Sequence, residues 1–151
     1  MIVKILGKVW KKLPPWVRLR VTRVSQQKFT VSVAGIITRA DGRVLLLNHV
    51  LRPGSGWGIP GGFIGYAEQP EDAFRREIRE ETGIELSDIS LYRIRTLKAH
   101  LEIMYTAKTT GEAAVKSREI IGLEWFEPDN VPVEMNLDQQ FLIRKVLLTN
   151  G

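Results

Sequence analysis

A glycine-rich loop that runs into a helix constrains this chain more than any other feature. Residues 52–66 contain six glycines and two prolines, which predicts a loop that turns repeatedly. Pro70 follows, with Glu71 and Asp72 directly behind it, an order typical of the first turn of a helix. Gly83 is the expected end of that helix. The chain must therefore bring bare backbone close to one end of a helix.

Three glutamates share one face of this helix. Glu77, Glu80 and Glu81 stand at i, i+3 and i+4, a spacing at which like charges repel and destabilise a helix. A divalent cation with hard oxygen ligands, Mg²⁺ or Mn²⁺, would resolve the repulsion. Since Mg²⁺ shares its coordination with substrate phosphates, the cluster indicates phosphoryl chemistry. The alternative is a solvated, charge-laced helix, because Arg76 and Arg79 also lie on it.

The rest of the chain alternates between strand and helix patterns. Asp41-Gly42 is a hairpin signal. The predicted strands are Phe29 to Thr38, Arg43 to Val50, Ile89 to Leu97, His100 to Thr109 and Ile120 to Phe126. A last helix is predicted from about Leu137 to Leu148, with Asn136 as its cap. Strands with two interspersed helices and one hairpin indicate an α/β sandwich around a mixed sheet.

Length and composition exclude several classes of protein. The 151 residues, 44% of them hydrophobic, fit one domain with a single core. The absence of cysteine excludes disulfides and thiolate chemistry. The longest apolar runs are far too short to span a bilayer, and lysines interrupt any signal-peptide core near the N-terminus. We therefore expect a cytoplasmic protein.

Charge divides the chain into two parts. Residues 1–28 carry eight basic side chains and no acidic one, whereas the remainder carries 14 basic and 17 acidic residues. Within residues 2–13, apolar positions recur at helical spacing opposite four lysines, which predicts an amphipathic helix that ends before Pro14-Pro15. Residues 18–24 alternate, which predicts a strand. We expect a basic extension over residues 1–28 and a domain over residues 29–151.

Three interpretations of the extension stay open. Residues 1–17 would lie on an anionic membrane surface, with lysines outward and Trp10 and Trp16 at the interface. Alternatively, the apolar stripe would be buried against a second copy in a homodimer. In the third interpretation, the extension packs on its own core.

The spacing of the glutamates belongs to a longer pattern. From Gly62 to Ile84 the sequence reads GFIGYAEQPEDAFRREIREETGI. This segment resembles the complete Nudix box at every defining position. The resemblance extends over roughly residues 29–149 and includes Trp125-Phe126 on a late strand. It implies a Nudix-type α/β/α sandwich around a mixed β-sheet, here with an N-terminal amphipathic helical extension. It also implies metal-dependent hydrolysis of a pyrophosphate linkage in a nucleoside diphosphate joined to another group.

The resemblance assigns roles residue by residue. The implied ligands of Mg²⁺, or of Mn²⁺, are Glu77, Glu80, Glu81 and the backbone carbonyl of Gly61. Arg76 would hold a box glutamate by a charge-assisted hydrogen bond. Glu68 would orient the loop or a water, and Gly62 would permit a tight turn beside the substrate. Ile78 and Ile84 would pack the helix on the sheet.

The general base and the contacts to the nucleoside are less constrained. Members of the family differ in whether a box glutamate or a later glutamate activates water. Glu119 is the candidate for that later residue, with Glu112 and Glu124 as competitors. Trp57 is the candidate for stacking on a base, although a packed position is the alternative. His49, which closes an apolar strand, is expected to be structural.

The substrate stays open at the level of the sequence. A small nucleoside diphosphate derivative, resembling ADP-ribose or a nucleotide sugar, and a nucleoside triphosphate all fit the box. Hydrolysis at an RNA 5′ end is an alternative, since the basic extension would follow a phosphate backbone. A non-catalytic nucleotide-sensing or scaffold domain is the alternative of another class. The complete set of box glutamates favours catalysis.

Overall fold

The computed structural model describes residues 2–148, except for the side chains of Ile2 and Val3. Residue 1 of the predicted extension and residues 149–151 of the predicted domain lie outside the described residues. The helices are α1 (Ile2–Lys12), α2 (Pro15–Ser25), α3 (Pro70–Thr82) and α4 (Leu137–Leu148). The strands are β1 (Thr30–Thr38), β2 (Val44–His49), β3 (Trp57–Gly58), β4 (Gly61–Phe63), β5 (Ser87–Leu97), β6 (His100–Lys108) and β7 (Ile120–Phe126). Within residues 2–148, no helix has both the length and the apolar character needed to cross a bilayer.

The strands form one mixed sheet centred on β1. The order along the sheet is β3-β2-β1-β6-β5, with β7 paired to β2 and β4 paired to β1. Strand β1 runs parallel to β6, and it is antiparallel to β4 near its start and to β2 at its end. The predicted mixed sheet is confirmed. Because β4 pairs with the central strand β1, it places Gly61 and Gly62 next to the middle of the sheet.

A helix covers each face of the sheet. Alternate residues of β1 explain this arrangement: Val33 and Ile37 pack on the side of α3, whereas Ile36 packs on the side of α4. Gly35 lies beneath Phe74 of α3, and a Cβ there would come within 2.2 Å of the phenyl Cζ. The close approach of helix and sheet therefore requires glycine at this position. The α/β/α sandwich is confirmed.

Most element predictions in the sheet domain are confirmed. Helix α3 begins with Pro70 in its first turn and ends at Gly83, whose φ of 75° is the left-handed conformation expected of a glycine cap. Asn136 accepts a hydrogen bond from the backbone N–H of Asp138 at 2.9 Å and so caps α4 as predicted. The prediction of an unbroken loop over residues 52–66 is wrong, since that segment contains β3 and β4.

The predicted strand over residues 18–24 is also wrong, because the segment lies within helix α2. Alternation favours a strand only where a neighbouring strand and a core are available, and here both are lacking: residues 21–30 are exposed throughout. The backbone groups are instead satisfied locally in a helix. Pro15 occupies the start of that helix, where its missing N–H costs nothing.

The predicted helix before Pro14-Pro15 is confirmed as α1. The side chains of Ile5, Leu6 and Val9 are exposed to solvent, which contradicts the interpretation that this stripe packs on the protein's own core.

Candidate active site

Four segments of the fold converge on one cleft. Strand β4 contributes glycine backbone, α3 contributes the three box glutamates, and the end of β2 and the segment before β7 close the sides. The cleft has a volume of about 400 Å³. It is lined by His49, Gly61, Gly62, Phe63, Glu77, Glu80, Glu81, Ser117 and Glu119. The structure thus brings together most of the residues singled out in the sequence.

The paired glycines of β4 make the close approach possible. Gly62 pairs with Val33 of β1, and a Cβ on Gly62 would lie 2.2 Å from Cδ of Glu77. Gly61 has a φ of 153°, and a Cβ there would lie 2.2 Å from the carbonyl oxygen of Val33. Any side chain at Gly62 would therefore displace a carboxylate, whereas a side chain at Gly61 would push β4 away from β1.

Arg76 ties the loop to the helix. Its Nε donates to Oε1 of Glu68 at 2.8 Å and its Nη2 donates to Oε2 of Glu68 at 3.0 Å, the paired geometry that arginine makes with a carboxylate. Nη2 also donates to the carbonyl of Phe63 at 3.1 Å. The guanidinium, helped by the backbone N–H of Gly65, lowers the pKa of Glu68 to about 2. Glu68 is therefore ionised and positions the loop, at the edge of the glutamate cluster.

The same guanidinium reaches two box glutamates. Nη1 of Arg76 donates to Oε1 of Glu77 at 2.9 Å and to Oε2 of Glu80 at 3.4 Å. Glu80 is the freer of the two, since 62% of its side chain is exposed against 18% for Glu77. With Arg76 engaging these carboxylates, no three acidic or histidine side chains within residues 2–148 form a ready-made metal cage.

Glu81 is the buried member of the cluster. Only 7% of the residue is exposed, and burial, followed by the charge of Glu77, raises the pKa of its carboxyl to about 8. Its Oε2 has no hydrogen-bond partner, and its Oε1 lies 3.8 Å from Nε2 of His49, which is also unpartnered. Burial and the nearby Arg52 lower the pKa of His49 to about 4. At neutral pH both groups are therefore largely uncharged, and they form no ion pair.

The donor set fits a hard divalent cation. An orphaned carboxylate oxygen on Glu81, held beside Glu77 and against glycine backbone, is a group that a cation would satisfy. A cation bound to Glu81 would favour the ionised carboxylate and so oppose the effect of burial on its pKa. Glu77, Glu80, Glu81 and the Gly61 carbonyl are the residues that would hold it.

Two residues in this region were not assigned a functional position from the sequence. His49 lies in the cleft, although a structural role was expected. Arg52 is half-buried, donates from Nη2 to the carbonyl of Ile59 at 3.1 Å, and leaves its buried Nη1 without a partner. Burial lowers the pKa of Arg52 and Glu81 opposes that shift. Their sequence signal is their position at the end of the buried strand β2, since His49 is its last residue and Arg52 follows three residues later.

The structure separates the three candidates for the later glutamate. Glu119 lines the cleft and is exposed there. Glu112 lies instead in a shallow depression beside Arg39. Glu124 is on β7 opposite Leu46 of β2, away from the cleft.

Trp57 lies outside the glutamate cleft. Its ring packs edge-on against Phe126, with ring centroids 5.3 Å apart. The other side of Trp57 lines a second cleft of about 460 Å³, together with Arg52, Pro53, Gly54, Ser55, Arg95, Leu97, Glu134, Asn136, Asp138 and Gln139. Arg52 of the second cleft lies three residues after His49 of the first, and its positive charge opposes the rise in the pKa of Glu81.

Comparison with known proteins decides the family. A model of the NUDIX domain matches residues 28–147. The chain belongs to the Nudix family. A MutT-like protein of Streptomyces ambofaciens is 34% identical to this Nudix protein over 108 residues, which cover 70% of the chain and 69% of the relative. An ADP-ribose pyrophosphatase of Methanocaldococcus jannaschii is 30% identical over 121 residues, 76% of the chain and 70% of the relative.

A solved structure shares both fold and sequence with this Nudix protein. The crystal structure of a MutT Nudix hydrolase from Burkholderia pseudomallei aligns with a TM-score of 0.69 and 30% identity, covering 79% of this chain and 98% of the other. Together with the family match, this similarity makes the protein a Nudix pyrophosphohydrolase.

Proposed function

We propose that the glutamate cleft hydrolyses a pyrophosphate linkage in a small nucleoside diphosphate derivative, with Mg²⁺ or Mn²⁺ as cofactor. The observation that carries this proposal is Glu81, a buried carboxyl with an unpartnered oxygen, which lines a glycine-backed cleft together with Glu77 and Glu119. Such a cluster of carboxyls is unfavourable without a cation. The similarity to an ADP-ribose pyrophosphatase and to a MutT-like protein supports nucleotides as the substrate class.

Each residue of the cleft has a distinct task. Glu77, Glu80 and Glu81 would hold the cation, which supplies positive charge to the phosphate oxygens and favours ionisation of a water. Gly62 keeps the Glu77 carboxylate free to bind by offering no side chain. Arg76 fixes Glu68 and thereby the loop that carries both glycines of β4.

Glu119 is our proposed general base. It is the late glutamate that lines the cleft, and its charge acts on the pKa of Glu81 in the box. A water in the cleft would pass one proton to Glu119 as its oxygen bonds to one phosphorus of the diphosphate. The bond from that phosphorus to the bridging oxygen would break, and the bridging oxygen would leave with the other phosphoryl group. Because the backbone carbonyl of Glu119 accepts from the N–H of Val50 at 2.9 Å, the base is anchored to the end of β2.

The second cleft would take the nucleoside. It offers the Trp57 ring, the Arg95 guanidinium and the Asn136 side chain as recognition groups. The lining of this cleft is mostly polar and charged, so recognition of the nucleoside would rest on hydrogen bonds and charge, with the Trp57 ring as its one aromatic surface. The diphosphate would then extend from this cleft over Arg52 towards the glutamates.

The test is hydrolysis of a substrate panel with Mg²⁺, comparing the wild type with two matched variants. The panel contains ADP-ribose, nucleotide sugars, nucleoside triphosphates, diadenosine polyphosphates and 5′-triphosphorylated RNA. Glu80→Gln removes one charge inside the cleft, and Glu71→Gln removes one from the exposed first turn of the same helix. We expect turnover of at least one small nucleotide to fall by orders of magnitude in Glu80→Gln and to stay near the wild-type rate in Glu71→Gln. Equal turnover in wild type and Glu80→Gln would refute the assignment.

The role of Glu119 needs a separate measurement. Glu119→Gln keeps the shape of the side chain and removes its capacity to accept a proton. We expect it to lower kcat by about 10²-fold or more while Mn²⁺ binding stays unchanged. A variant that loses metal binding, or one that keeps its full kcat, would contradict the proposed role.

A further inference from the structure

The two N-terminal helices present apolar side chains to solvent. On α1, Ile5, Leu6 and Val9 are 56%, 61% and 54% exposed, and Trp16 at the start of α2 is 67% exposed. An apolar groove of about 560 Å³ runs between the helices and is lined by Leu6, Gly7, Val9, Trp10, Leu13 and Val21. Within the described part of the chain, no element covers this face. We call residues 2–25 the N-terminal helix pair.

The charge on the helix pair has one sign. Residues 1–28 contain eight basic residues and no acidic one. On α1 the helical spacing places Lys4, Lys8, Lys11 and Lys12 on the side opposite the apolar stripe. All four lysines are exposed. An apolar stripe with lysines behind it, and tryptophans at its edge, is the arrangement of a helix that lies in a membrane interface.

We infer that the N-terminal helix pair docks this enzyme on the surface of a bilayer that contains anionic lipids. The apolar stripe of α1 would enter the boundary between headgroups and acyl chains, while the lysines face the phosphates. Each basic residue near such a surface strengthens binding about fivefold. At about 1.5 Å per residue, α1 is far too short to span a bilayer but long enough to lie along it.

Charge favours lipid over the other occupants of this face. A second copy would place two sets of eight basic residues together with no acidic residue in either set, so repulsion opposes that contact. A nucleic acid would satisfy the lysines but would leave Ile5, Leu6 and Val9 in water. An anionic bilayer satisfies both the charged and the apolar side.

The test is vesicle co-sedimentation of the full chain. The vesicles are phosphatidylcholine alone, or phosphatidylcholine with roughly one-third phosphatidylserine, at an ionic strength of about 0.1 M, where charge interactions near the surface still operate. We expect the bound fraction to be at least tenfold greater on the anionic vesicles. We also expect blue-shifted tryptophan emission on binding, since Trp10 and Trp16 would leave water.

Matched variants locate the contact. Leu6→Asp combined with Val9→Asp places two charges in the stripe, and we expect anionic-vesicle binding to fall more than tenfold. Val133→Asp makes the same kind of change at a side chain that is 88% exposed in the sheet domain, and we expect no loss. Lys8→Gln combined with Lys11→Gln should weaken binding roughly 25-fold. None of these residues lines the glutamate cleft, so hydrolysis of a small nucleotide in free solution should be the same in all variants.

Three results would overturn the inference. The first is no vesicle binding by the wild type, or equal binding by the Leu6→Asp/Val9→Asp variant. The second is a lipid-free dimer in sedimentation equilibrium that this variant dissociates, which would assign the face to a second copy. The third is salt-sensitive binding to single-stranded RNA with no binding to vesicles, which would assign the charge to nucleic acid. Because the readout is binding, failure here leaves the proposed hydrolysis untouched.

Discussion

Gly62→Ala offers a sharp test of the cleft, because the structure specifies what the added methyl group would meet. Its Cβ would lie 2.2 Å from Cδ and 2.4 and 2.5 Å from the two oxygens of Glu77. Restoring an ordinary contact requires the carboxylate to move by more than 1 Å. That movement breaks the 2.9 Å hydrogen bond from Arg76 and displaces a proposed metal ligand. A misplacement of about 1 Å in an active site costs roughly 10²-fold in rate.

Stability should respond much less than activity. The methyl group meets the end of a flexible side chain rather than backbone, and Gly62 does not have a positive φ. A glycine replaced by alanine at a compatible position changes the free energy of unfolding by only about 1 kcal/mol or less. We therefore expect kcat/KM to fall about 10²-fold, with a higher Mg²⁺ concentration at half-maximal rate, and Tm to shift by only a few degrees.

Gly61→Ala, at the adjacent position, should lower stability more than Gly62→Ala. Its Cβ would meet the Val33 carbonyl oxygen at 2.2 Å and the Ala34 Cα at 2.6 Å, and its φ of 153° disfavours alanine. Backbone strain of this kind costs about 1–3 kcal/mol, so Tm should fall by at least several degrees. Both variants are assayed by Mg²⁺ titration of hydrolysis and by thermal unfolding. Activity of Gly62→Ala within about threefold of wild type, or an equal loss of Tm in the two variants, would refute the reasoning.

Three further predictions follow from the structure. Arg76→Lys removes the paired hydrogen bonds to a carboxylate, so kcat/KM should fall at least about tenfold, whereas Arg79→Lys on the exposed face should match wild type in the same assay. Because the pKa of Glu68 is lowered from its ordinary 4.5 to about 2, its stabilising effect is fully present above pH 4.5 and is lost as the pH falls towards 2. Thermal unfolding from pH 6 to pH 2 should therefore show a steeper loss of Tm in wild type than in Glu68→Gln; parallel curves would contradict this. Phe74→Ala, at a fully buried side chain, should lower the free energy of unfolding in urea by about 3–5 kcal/mol, and Phe141→Ala, at an exposed one, by well under 1 kcal/mol.

The helix that carries the box could be predicted closely from the sequence. Its limits depend on local chemistry, with proline in the first turn and a left-handed glycine at the end, and such signals act within a few residues. The shared face of Glu77, Glu80 and Glu81 follows from helical spacing alone. The long strands were also predictable, because β-branched residues recur where both faces of the sheet are covered.

The N-terminal segment shows where local patterns fail. Residues 18–24 alternate as a strand would, yet a strand needs a hydrogen-bonded neighbour and the chain provides none there. With no sheet edge to join, the backbone satisfies its own donors and acceptors in a helix. Periodicity within a segment carries no information about whether a distant partner is available.

The sequence by itself determined the family, the reaction class and the order of the box glutamates along one helix face. Only the tertiary structure decided their environments: Glu81 is buried, whereas 62% of the Glu80 side chain is exposed. It also brought His49 and Glu119 to the cleft, although His49 lies 28 residues before Glu77 and Glu119 lies 38 residues after Glu81 in the sequence. The physical reason is that burial, and with it the pKa of a carboxyl, depends on every element packed around the group, whereas spacing depends on one helix alone.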